Sequence, residues 1–143
     1  MSKKIEEFKR KAAQKRIAKN EAFLAENAQK EGVTALENGI QYEIIHEGKG
    51  RVTPSVKDWV TTHYHGTLLD GKVFDSSVER GKPATFKLNN VIQGWQEVLP
   101  LMVVGDEWRV YIPADLAYGE RQEGKIPSHS LLIFEISLLS IGK

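Results

Sequence analysis

The hydrophobic pattern of this chain changes near Gly39 from one typical of a helix to one typical of strands. Residues 3–31 contain no proline or glycine and are rich in Ala, Lys, Glu, Gln and Arg, which are strong helix formers. Gly32 follows as a stop signal. We therefore predict a long N-terminal α-helix, and we divide the chain into residues 1–36, the helix with its linker, and residues 37–143, a second folding unit.

Apolar residues are sparse on the predicted helix and form only a narrow stripe. They are Ile5, Phe8, Ala12, Ile17, Phe23, Leu24 and Ala28. This is too few for a buried helix, and an isolated helix of this kind is only marginally stable in water. We expect an exposed helix whose stripe packs either on the following domain or on a second copy of the chain, so a homodimer through the N-terminal helix is one of two alternatives.

From Gly39 onward, apolar and polar residues alternate and turn residues multiply, which predicts a series of short strands. The predicted strands lie at about residues 40–44, 57–68, 83–88, 108–112 and 130–141. Asp70-Gly71 is a strong signal for a hairpin turn, and a return strand begins at Val73.

One short helix interrupts these strands, over about residues 91–100. Asn90 has the position of its N-cap, and Gln93 completes a capping-box pattern three residues later. The helix is expected to end near Pro100. Together the elements predict an α+β fold, in which a mostly antiparallel sheet of about five strands packs against the short helix.

Composition excludes several classes of site. The chain has no cysteine, which excludes disulfides, thiolate metal sites and cysteine nucleophiles. No stretch is long and apolar enough to span a membrane, and no membrane partner is expected. The charged start, Met1 to Lys4, is followed by no apolar run of the kind found in signal peptides. We expect a cytoplasmic protein, with a periplasmic one as the alternative if a signal peptide has been removed.

The net charge of +1 hides an asymmetry along the chain. Residues 1–20 carry eight Lys or Arg and two Glu, a net charge of +6, so the rest of the chain sums to −5. A basic arm can bind nucleic acid. Here the basic residues surround the predicted helix and do not cluster with aromatic groups, so we expect no nucleic-acid partner, and nucleic-acid binding is the weakest alternative.

The common catalytic motifs are absent from the sequence. It contains no P-loop, no G-x-G-x-x-G and no G-x-S-x-G. His63 and His65 lie on one face of a predicted strand, but no third ligand is near them in sequence, so we predict no metal site. Carboxylates are numerous but scattered along the sequence, so the sequence indicates no pair of them as general acid and base.

Six aromatic residues lie beside predicted turns: Tyr64, Phe74, Phe86, Trp95, Tyr118 and Phe134. Spacing alone favours ordinary core residues. Two details favour a site instead. Phe74 is followed directly by Asp75 at the end of a strand, and Tyr118 lies at the mouth of a glycine-containing loop where its hydroxyl could be presented.

Five strings in the second part of the chain occur in a recognisable order. They are His63-Tyr64-His65-Gly66, Asp70-Gly71-Lys72-Val73-Phe74-Asp75-Ser76-Ser77, Val91-Ile92-Gln93-Gly94-Trp95, Leu116-Ala117-Tyr118-Gly119 and Ile126-Pro127-Ser128-His129. Over about residues 39–143 they resemble the FK506-binding-protein (FKBP) type peptidyl-prolyl isomerases. The long helix running into Phe23-Leu24-Ala25-Glu26-Asn27, with Gly32-Val33 and Gly39-Ile40-Gln41-Tyr42, resembles the bacterial Mip-like (macrophage infectivity potentiator-like) branch.

The resemblance implies a half-wrapped antiparallel sheet of five to six strands around one short α-helix, preceded by the long N-terminal helix, with a cleft between sheet and short helix. It implies catalytic positions at Tyr64, Phe74, Asp75, Tyr118 and Phe134. It implies substrate-binding positions at Phe86, Val91, Ile92, Trp95, Ile126 and Arg80.

The resemblance also implies individual roles within that cleft. Trp95 would form the floor, and Ile126 would be one of the walls. The Tyr118 hydroxyl and the Ile92 backbone N–H would each bond a substrate carbonyl. Asp75 would lie beside the rotating amide, bonded to Tyr64, and Arg80 occupies a position often paired with that aspartate.

The implied activity is peptidyl-prolyl cis–trans isomerisation of Xaa-Pro bonds in protein substrates, which assists folding and requires no cofactor or metal. Macrolides such as tacrolimus and rapamycin are implied ligands. Ala84 and the charged loop from Gly119 to Lys125 depart from the drug-binding relatives and put tight macrolide binding in question. The alternative function is a non-catalytic chaperone or interaction module that grips proline-containing segments.

Overall fold

The computed structural model describes residues 2–142, which begin with helix α1, Lys3–Asn27. The Ser2 side chain caps α1 by accepting a hydrogen bond from the Ile5 N–H at 3.2 Å. The helix ends four residues before residue 31, so the predicted C-terminal end was wrong. At this end the N–H of Gln29 and that of Lys30 each bond a carbonyl three residues back, which replaces the α-helical pattern with a turn.

Seven antiparallel strands and two further α-helices follow α1. The strands are β1 (Val33–Ala35), β2 (Gln41–His46), β3 (Trp59–Leu68), β4 (Val73–Ser76), β5 (Ala84–Lys87), β6 (Glu107–Ile112) and β7 (Leu132–Ile141). The helices are α2 (Ser77–Arg80) and α3 (Gln93–Val98), with 3₁₀ turns at Leu88–Asn90, Leu99–Leu101 and Ala114–Leu116. The predicted α+β class is confirmed, with a sheet one or two strands larger than expected.

The sheet runs in the order β1-β2-β6-β7-β3-β4, and β5 also pairs with β3. One edge of β3 pairs with β7 along its length, while the other edge pairs with β5 near Trp59 and with β4 near His65. Because β3 pairs with both β4 and β5 on that edge, the sheet divides there and wraps partly around α3. The division at residue 36 stays a prediction, but β1 lies before it and pairs with β2.

Helix α3 lies against the sheet at van der Waals distance. A Cβ on Gly94 would lie 2.5 Å from the Ile112 Cγ2 atom, so only glycine lets the helix approach β6 this closely. Trp95 and Val98 of α3 are buried in the same hydrophobic core as Ile112. The core therefore fixes the position of α3, and with it the position of the Trp95 ring.

The predicted start of α3 was wrong. Asn90 ends a 3₁₀ turn, and the N-cap is Ile92, which provides no side-chain hydrogen bond. The Gln93 amide donates to Glu97 within the helix and forms no capping box. The Ile92 carbonyl instead accepts from the N–H of Trp95 and that of Gln96, so backbone groups start the helix.

The second half of α1 packs on the domain, whereas its first turns are exposed to solvent. The Phe23 ring lies 5.6 Å from the Tyr111 ring, and Asn27 is buried with its amide donating to Gln41 at 2.9 Å. Near the N-terminus, Phe8 is 74% exposed and Ile5 is 49% exposed. Of the two predicted partners for the apolar stripe, the domain covers the C-terminal half. Within residues 2–142, no helix is both long enough and apolar enough to cross a membrane.

Candidate active site

A cluster of aromatic rings fills the space between α3 and the sheet. The Trp95 ring contacts the Tyr64, Phe86 and Phe134 rings, with centroids 5.2, 5.4 and 5.2 Å away. Phe134 contacts Phe74 at 5.4 Å and 87°. Most of these pairs are edge-to-face, which is the arrangement that aromatic quadrupoles favour. Trp95 and Phe134 are 4% and 5% exposed, so they form a fixed apolar floor.

Gly66 makes this ring cluster geometrically feasible. It pairs with Phe134 on β7 and with Asp75 on β4. A Cβ at this position would lie 2.6 Å from the Phe74 Cζ atom and 2.9 Å from the Phe134 Cε1 atom. A side chain here would therefore push the two phenyl rings apart.

A cavity of about 490 Å³ opens above the aromatic floor. Its lining comes from β3, β4, β5, β7, α3 and the loops before α3 and after β6. The lining residues are Tyr64, Phe74, Asp75, Phe86, Asn90, Val91, Ile92, Trp95, Ala117, Tyr118, Arg121 and Phe134. Nine of the eleven residues assigned from the sequence therefore lie together.

Two of the assigned residues do not line the cavity. Ile126 is not among the lining residues; it is 5% exposed, belongs to the same buried core as Trp95 and Phe134, and its backbone pairs with Glu123 in a tight turn, so its role as a wall stays a prediction. Arg80 lies outside the lining but contacts Asp75 at the rim. Three lining residues were missed: Asn90, Ala117 and Arg121.

Asp75, Tyr64 and Arg80 form a hydrogen-bonded group at the rim. The Tyr64 hydroxyl donates to Asp75 Oδ2 at 2.7 Å, and Arg80 forms an ion pair with Asp75 Oδ1. A second guanidinium nitrogen of Arg80 donates to the Tyr64 oxygen at 3.0 Å. Helix α2, capped by Ser76, places Arg80 five residues after Asp75. Both oxygens of the Asp75 carboxylate are therefore occupied.

The electrostatics of this group keep Asp75 ionised. Partial burial would raise the pKa of Asp75, but the hydrogen bonds from Tyr64 and Arg80, with the Arg80 charge, outweigh it and lower the pKa below its ordinary value. Burial is also the main cause that raises the pKa of Tyr64, against the hydrogen bond from Arg80. At neutral pH the group thus contains a carboxylate, a phenol and a guanidinium.

Two serines and two histidines support Tyr64 from the outer side of β3. Ser77 Oγ accepts from the Tyr64 N–H at 2.7 Å and lies 2.8 Å from His63 Nδ1. Ser76 Oγ lies 2.8 Å from His65 Nδ1. These contacts connect two of the five sequence strings, and among residues 2–142 no three His, Cys, Asp or Glu side chains are grouped to hold a metal.

The Tyr118 hydroxyl and the Ile92 backbone N–H belong to lining residues and have no hydrogen-bond partner within the described part of the chain. The Trp95 indole N–H also has no partner, but it is buried. Burial, followed by the charges of Glu123 and Asp75, raises the pKa of Tyr118 above its ordinary value. Tyr118 therefore keeps its proton at neutral pH and is able to donate it in a hydrogen bond.

Comparison with known proteins identifies the family. A family model described as FKBP-type peptidyl-prolyl cis-trans isomerase matches residues 50–139. The chain belongs to this family. A second model, described as the domain amino terminal to FKBP-type peptidyl-prolyl isomerase, matches residues 1–44 of this FKBP-type chain.

Individual relatives support the same assignment. The outer membrane protein MIP of Legionella longbeachae is 49% identical over 144 residues, covering 100% of this chain and 61% of that protein. The FKBP-type 22 kDa peptidyl-prolyl cis-trans isomerase of Escherichia coli K12 is 50% identical over 134 residues, covering 93% and 65%. These relatives agree with the Mip-like branch of the FKBP family.

The fold agrees as well. The crystal structure of FkpA from Escherichia coli matches with a TM-score of 0.91 at 36% identity, covering 96% of this chain and 64% of that one. The chain spans 53% to 65% of the length of the first three curated relatives it matches. Family and fold are thus established for this FKBP-type chain.

Proposed function

We propose that the aromatic cavity catalyses cis–trans isomerisation of Xaa-Pro bonds in polypeptide substrates. The observation that carries the proposal is the pairing of a rigid apolar floor, Trp95 and Phe134, with two unpartnered donors, Tyr118 and Ile92. A cavity of about 490 Å³ is large enough for a prolyl ring and its flanking peptide groups.

The apolar floor acts on the barrier through desolvation. Rotation about a peptide bond crosses a barrier of about 18–20 kcal/mol, because the planar amide has partial double-bond character. The twisted amide loses this resonance and is less polar at its carbonyl oxygen. Water stabilises the more polar planar state, so transfer from water to a cavity floored by Trp95 lowers the relative barrier.

The two donors act by differential binding. A hydrogen bond from Tyr118 to one substrate carbonyl, and one from the Ile92 N–H to another, would hold the peptide in a turn-like geometry. That geometry matches the twisted bond better than either planar isomer, which is the condition for a rate increase. No covalent intermediate is involved.

Asp75 is assigned an electrostatic and structural role. Its lowered pKa makes it a poor general acid, and its two oxygens are already bonded to Tyr64 and Arg80. The negative charge lies beside the cavity and orients the Tyr64 ring that forms part of the wall. We therefore assign no proton transfer to Asp75.

A protease-coupled assay with a proline tetrapeptide tests the proposal. We expect the full chain to accelerate isomerisation, and Trp95→Leu to lose most of this activity while Trp108→Leu, a buried tryptophan away from the cavity lining, keeps it in proportion to folded protein. Suppression of aggregation without turnover would instead support the non-catalytic chaperone.

An added arm with rapamycin tests macrolide binding, which Ala84 and the charged loop are expected to weaken.

The exposed first turns of α1 support a homodimer, in which a second copy of this chain is the partner. Ile5 and Phe8 lie in the first two turns and are 49% and 74% exposed. A second copy of α1 would bury both side chains. Sedimentation of the intact chain beside Phe8→Asp tests this: we expect a dimer that the substitution dissociates, and an unchanged monomer in both samples would contradict it.

We propose that the protein lies in the periplasm. The name of the Legionella longbeachae relative refers to the outer membrane, which supports the periplasmic alternative over the cytoplasmic one. Fractionation of cells that produce the full protein checks this, and recovery with cytoplasmic markers would favour the other alternative.

A further inference from the structure

Helix α1 makes directional contacts with the loop that follows Tyr118. The Arg16 Nε atom donates to the Ser128 carbonyl at 2.7 Å, and its NH2 group donates to Ser128 Oγ at 3.2 Å. One turn later, the Asn20 amide donates to the His129 carbonyl at 2.8 Å. Two side chains four residues apart on one helix face thus hold two consecutive loop residues.

His129 has a backbone conformation that needs this support. Its φ is +55°, in the left-handed region that non-glycine residues seldom adopt. Such a conformation persists where the surroundings hold it in place. The Arg16 and Asn20 hydrogen bonds reach the carbonyls on both sides of this strained position, and they come from more than 100 residues away in the sequence.

The strained residue is connected directly to the neighbour of Tyr118. The His129 N–H donates to the Gly119 carbonyl at 2.7 Å, which closes the loop that begins at Tyr118. The Gly119 N–H in turn donates to the Ala114 carbonyl at 2.8 Å. A continuous series of hydrogen bonds therefore runs from Arg16 and Asn20 to the residue next to the cavity hydroxyl.

A second cavity, of about 400 Å³, is lined by Arg16 and Asn20 of α1 and by Pro127 and Leu131 of the loop. The Arg16 and Asn20 hydrogen bonds are therefore the directional contacts between helix and loop beside this cavity.

We propose that Arg16 and Asn20 are positioning residues for the isomerase site, which hold the 118–130 loop so that the Tyr118 hydroxyl is directed into the cavity. This inference rests on the proposed function and adds a role for α1 in the chemistry. A purely structural role predicts lower stability with unchanged catalysis per folded molecule. A positioning role predicts a lower kcat with little change in KM. The Tyr118 hydroxyl would be displaced, whereas the floor formed by Trp95 and Phe134 would stay in place.

The test compares Arg16→Ala, Asn20→Ala and the double variant with Arg10→Ala in the full chain. Arg10 lies on the same helix in an exposed ion pair with Glu7 and serves as the matched control. We expect the double variant to lower kcat by about threefold to fivefold, since small misplacements of a catalytic group reduce rates strongly. Arg10→Ala is expected to match the unmodified chain, and Arg16→Lys to recover part of the loss.

A double-mutant cycle decides whether the effect passes through Tyr118. In a Tyr118→Phe background, the Arg16→Ala and Asn20→Ala changes should lower kcat no further, because their common target has been removed. Equal losses in both backgrounds, or a kcat equal to that of Arg10→Ala, would overturn the proposal.

Amide hydrogen exchange distinguishes a failure of the positioning role from a failure of the proposed isomerase activity. The positioning role predicts faster exchange at the His129 amide in the double variant and not in Arg10→Ala. If the unmodified chain has no isomerase activity, the proposed function fails. If activity is present but His129 exchange and kcat are both unchanged in the double variant, the positioning role alone fails. Should the double variant unfold, Arg16→Lys and Asn20→Ala are compared singly by the same two measurements.

Discussion

The floor and the rim of the cavity are held in place by different forces. Trp95 and Phe134 are almost fully buried and belong to the hydrophobic core, so the packing that folds the domain also builds the floor. At the rim, the Asp75 and Arg80 side chains are 44% and 50% exposed, and hydrogen bonds hold them. A substitution in the floor should therefore reduce stability and activity together, whereas one at the rim should reduce activity with a smaller change in stability.

Gly66→Ala is expected to have the largest effect, because it acts on the floor. The added Cβ would lie 2.6 Å from the Phe74 ring and would force the edge-to-face pair apart. Overpacking of this kind costs about 1–3 kcal/mol of stability, and we expect most isomerase activity to be lost. Urea unfolding and the peptide assay measure the two effects. Thr67→Ala, the next residue on β3, is the control, and equal losses in both variants would contradict the account.

Asp75→Leu tests the rim and should separate activity from stability. Loss of the charged hydrogen bonds to Tyr64 and Arg80 should lower kcat/KM by about thirtyfold, the equivalent of about 2 kcal/mol. Measurable activity should remain, because no proton transfer is assigned to this carboxylate. Circular dichroism establishes that the variant is folded. Complete loss of activity in a folded variant would show that Asp75 has a direct chemical role.

Tyr118→Phe removes one rim donor and leaves the ring in place. We expect kcat/KM to fall about tenfold, as for the loss of one hydrogen bond of about 1.4 kcal/mol. Stability should not change, because the hydroxyl bonds no other group among residues 2–142. Tyr42→Phe makes the same chemical change on a ring stacked against Trp108, away from the cavity lining, and should leave activity intact.

Arg121 offers a finer test of the rim, in the charged loop that departs from the drug-binding relatives. It lines the cavity, and it carries a positive charge close enough to act on Tyr118. We expect peptides with Glu beside the proline to be turned over about threefold better than those with Lys, a difference typical of an exposed charge pair. Arg121→Gln should remove this preference, and high salt should weaken it. Identical ratios in both proteins would contradict a role for Arg121.

The pH profile should show the smallest change of all. Asp75 has a lowered pKa and Tyr118 a raised one, so neither changes charge between pH 6 and pH 9, and kcat/KM should vary by less than about twofold. Because the pKa of Asp75 is lowered on folding, its contribution to stability is present above its unfolded pKa of about 3.9 and is lost as pH falls through the folded pKa. A bell-shaped profile within the neutral range would indicate proton transfer.

The sequence predicts the floor better than the rim, for a physical reason. Alternating residues on β3 and β7 bring Tyr64 and Phe134 to one face, and short-range turn signals set the strands, so pattern and resemblance together identify most of the lining. Ala117 and Arg121 were missed as lining residues because they lie in the loop after β6, and no periodicity reveals the path of such a loop.

Contacts between distant segments were not predictable from the sequence. Arg16 appears only as one more basic residue of a solvated helix, yet it bonds Ser128 across 112 positions. Asn90 has the residue type of an N-cap, but a 3₁₀ turn places it on the cavity wall instead. Short elements such as β1, three residues long, fall below what an alternating pattern can indicate.

The most direct test is exchange NMR on a proline-containing peptide with a small fraction of the full chain added. The measurement detects interconversion of the cis and trans proline signals themselves, without a coupling protease. We expect exchange between the two signals at rates far above the uncatalysed process, which takes tens to hundreds of seconds, and a marked reduction with Tyr118→Phe. Shifts of the cavity resonances on peptide binding, with interconversion no faster than in the free peptide, would show that the cavity binds proline segments but does not isomerise them.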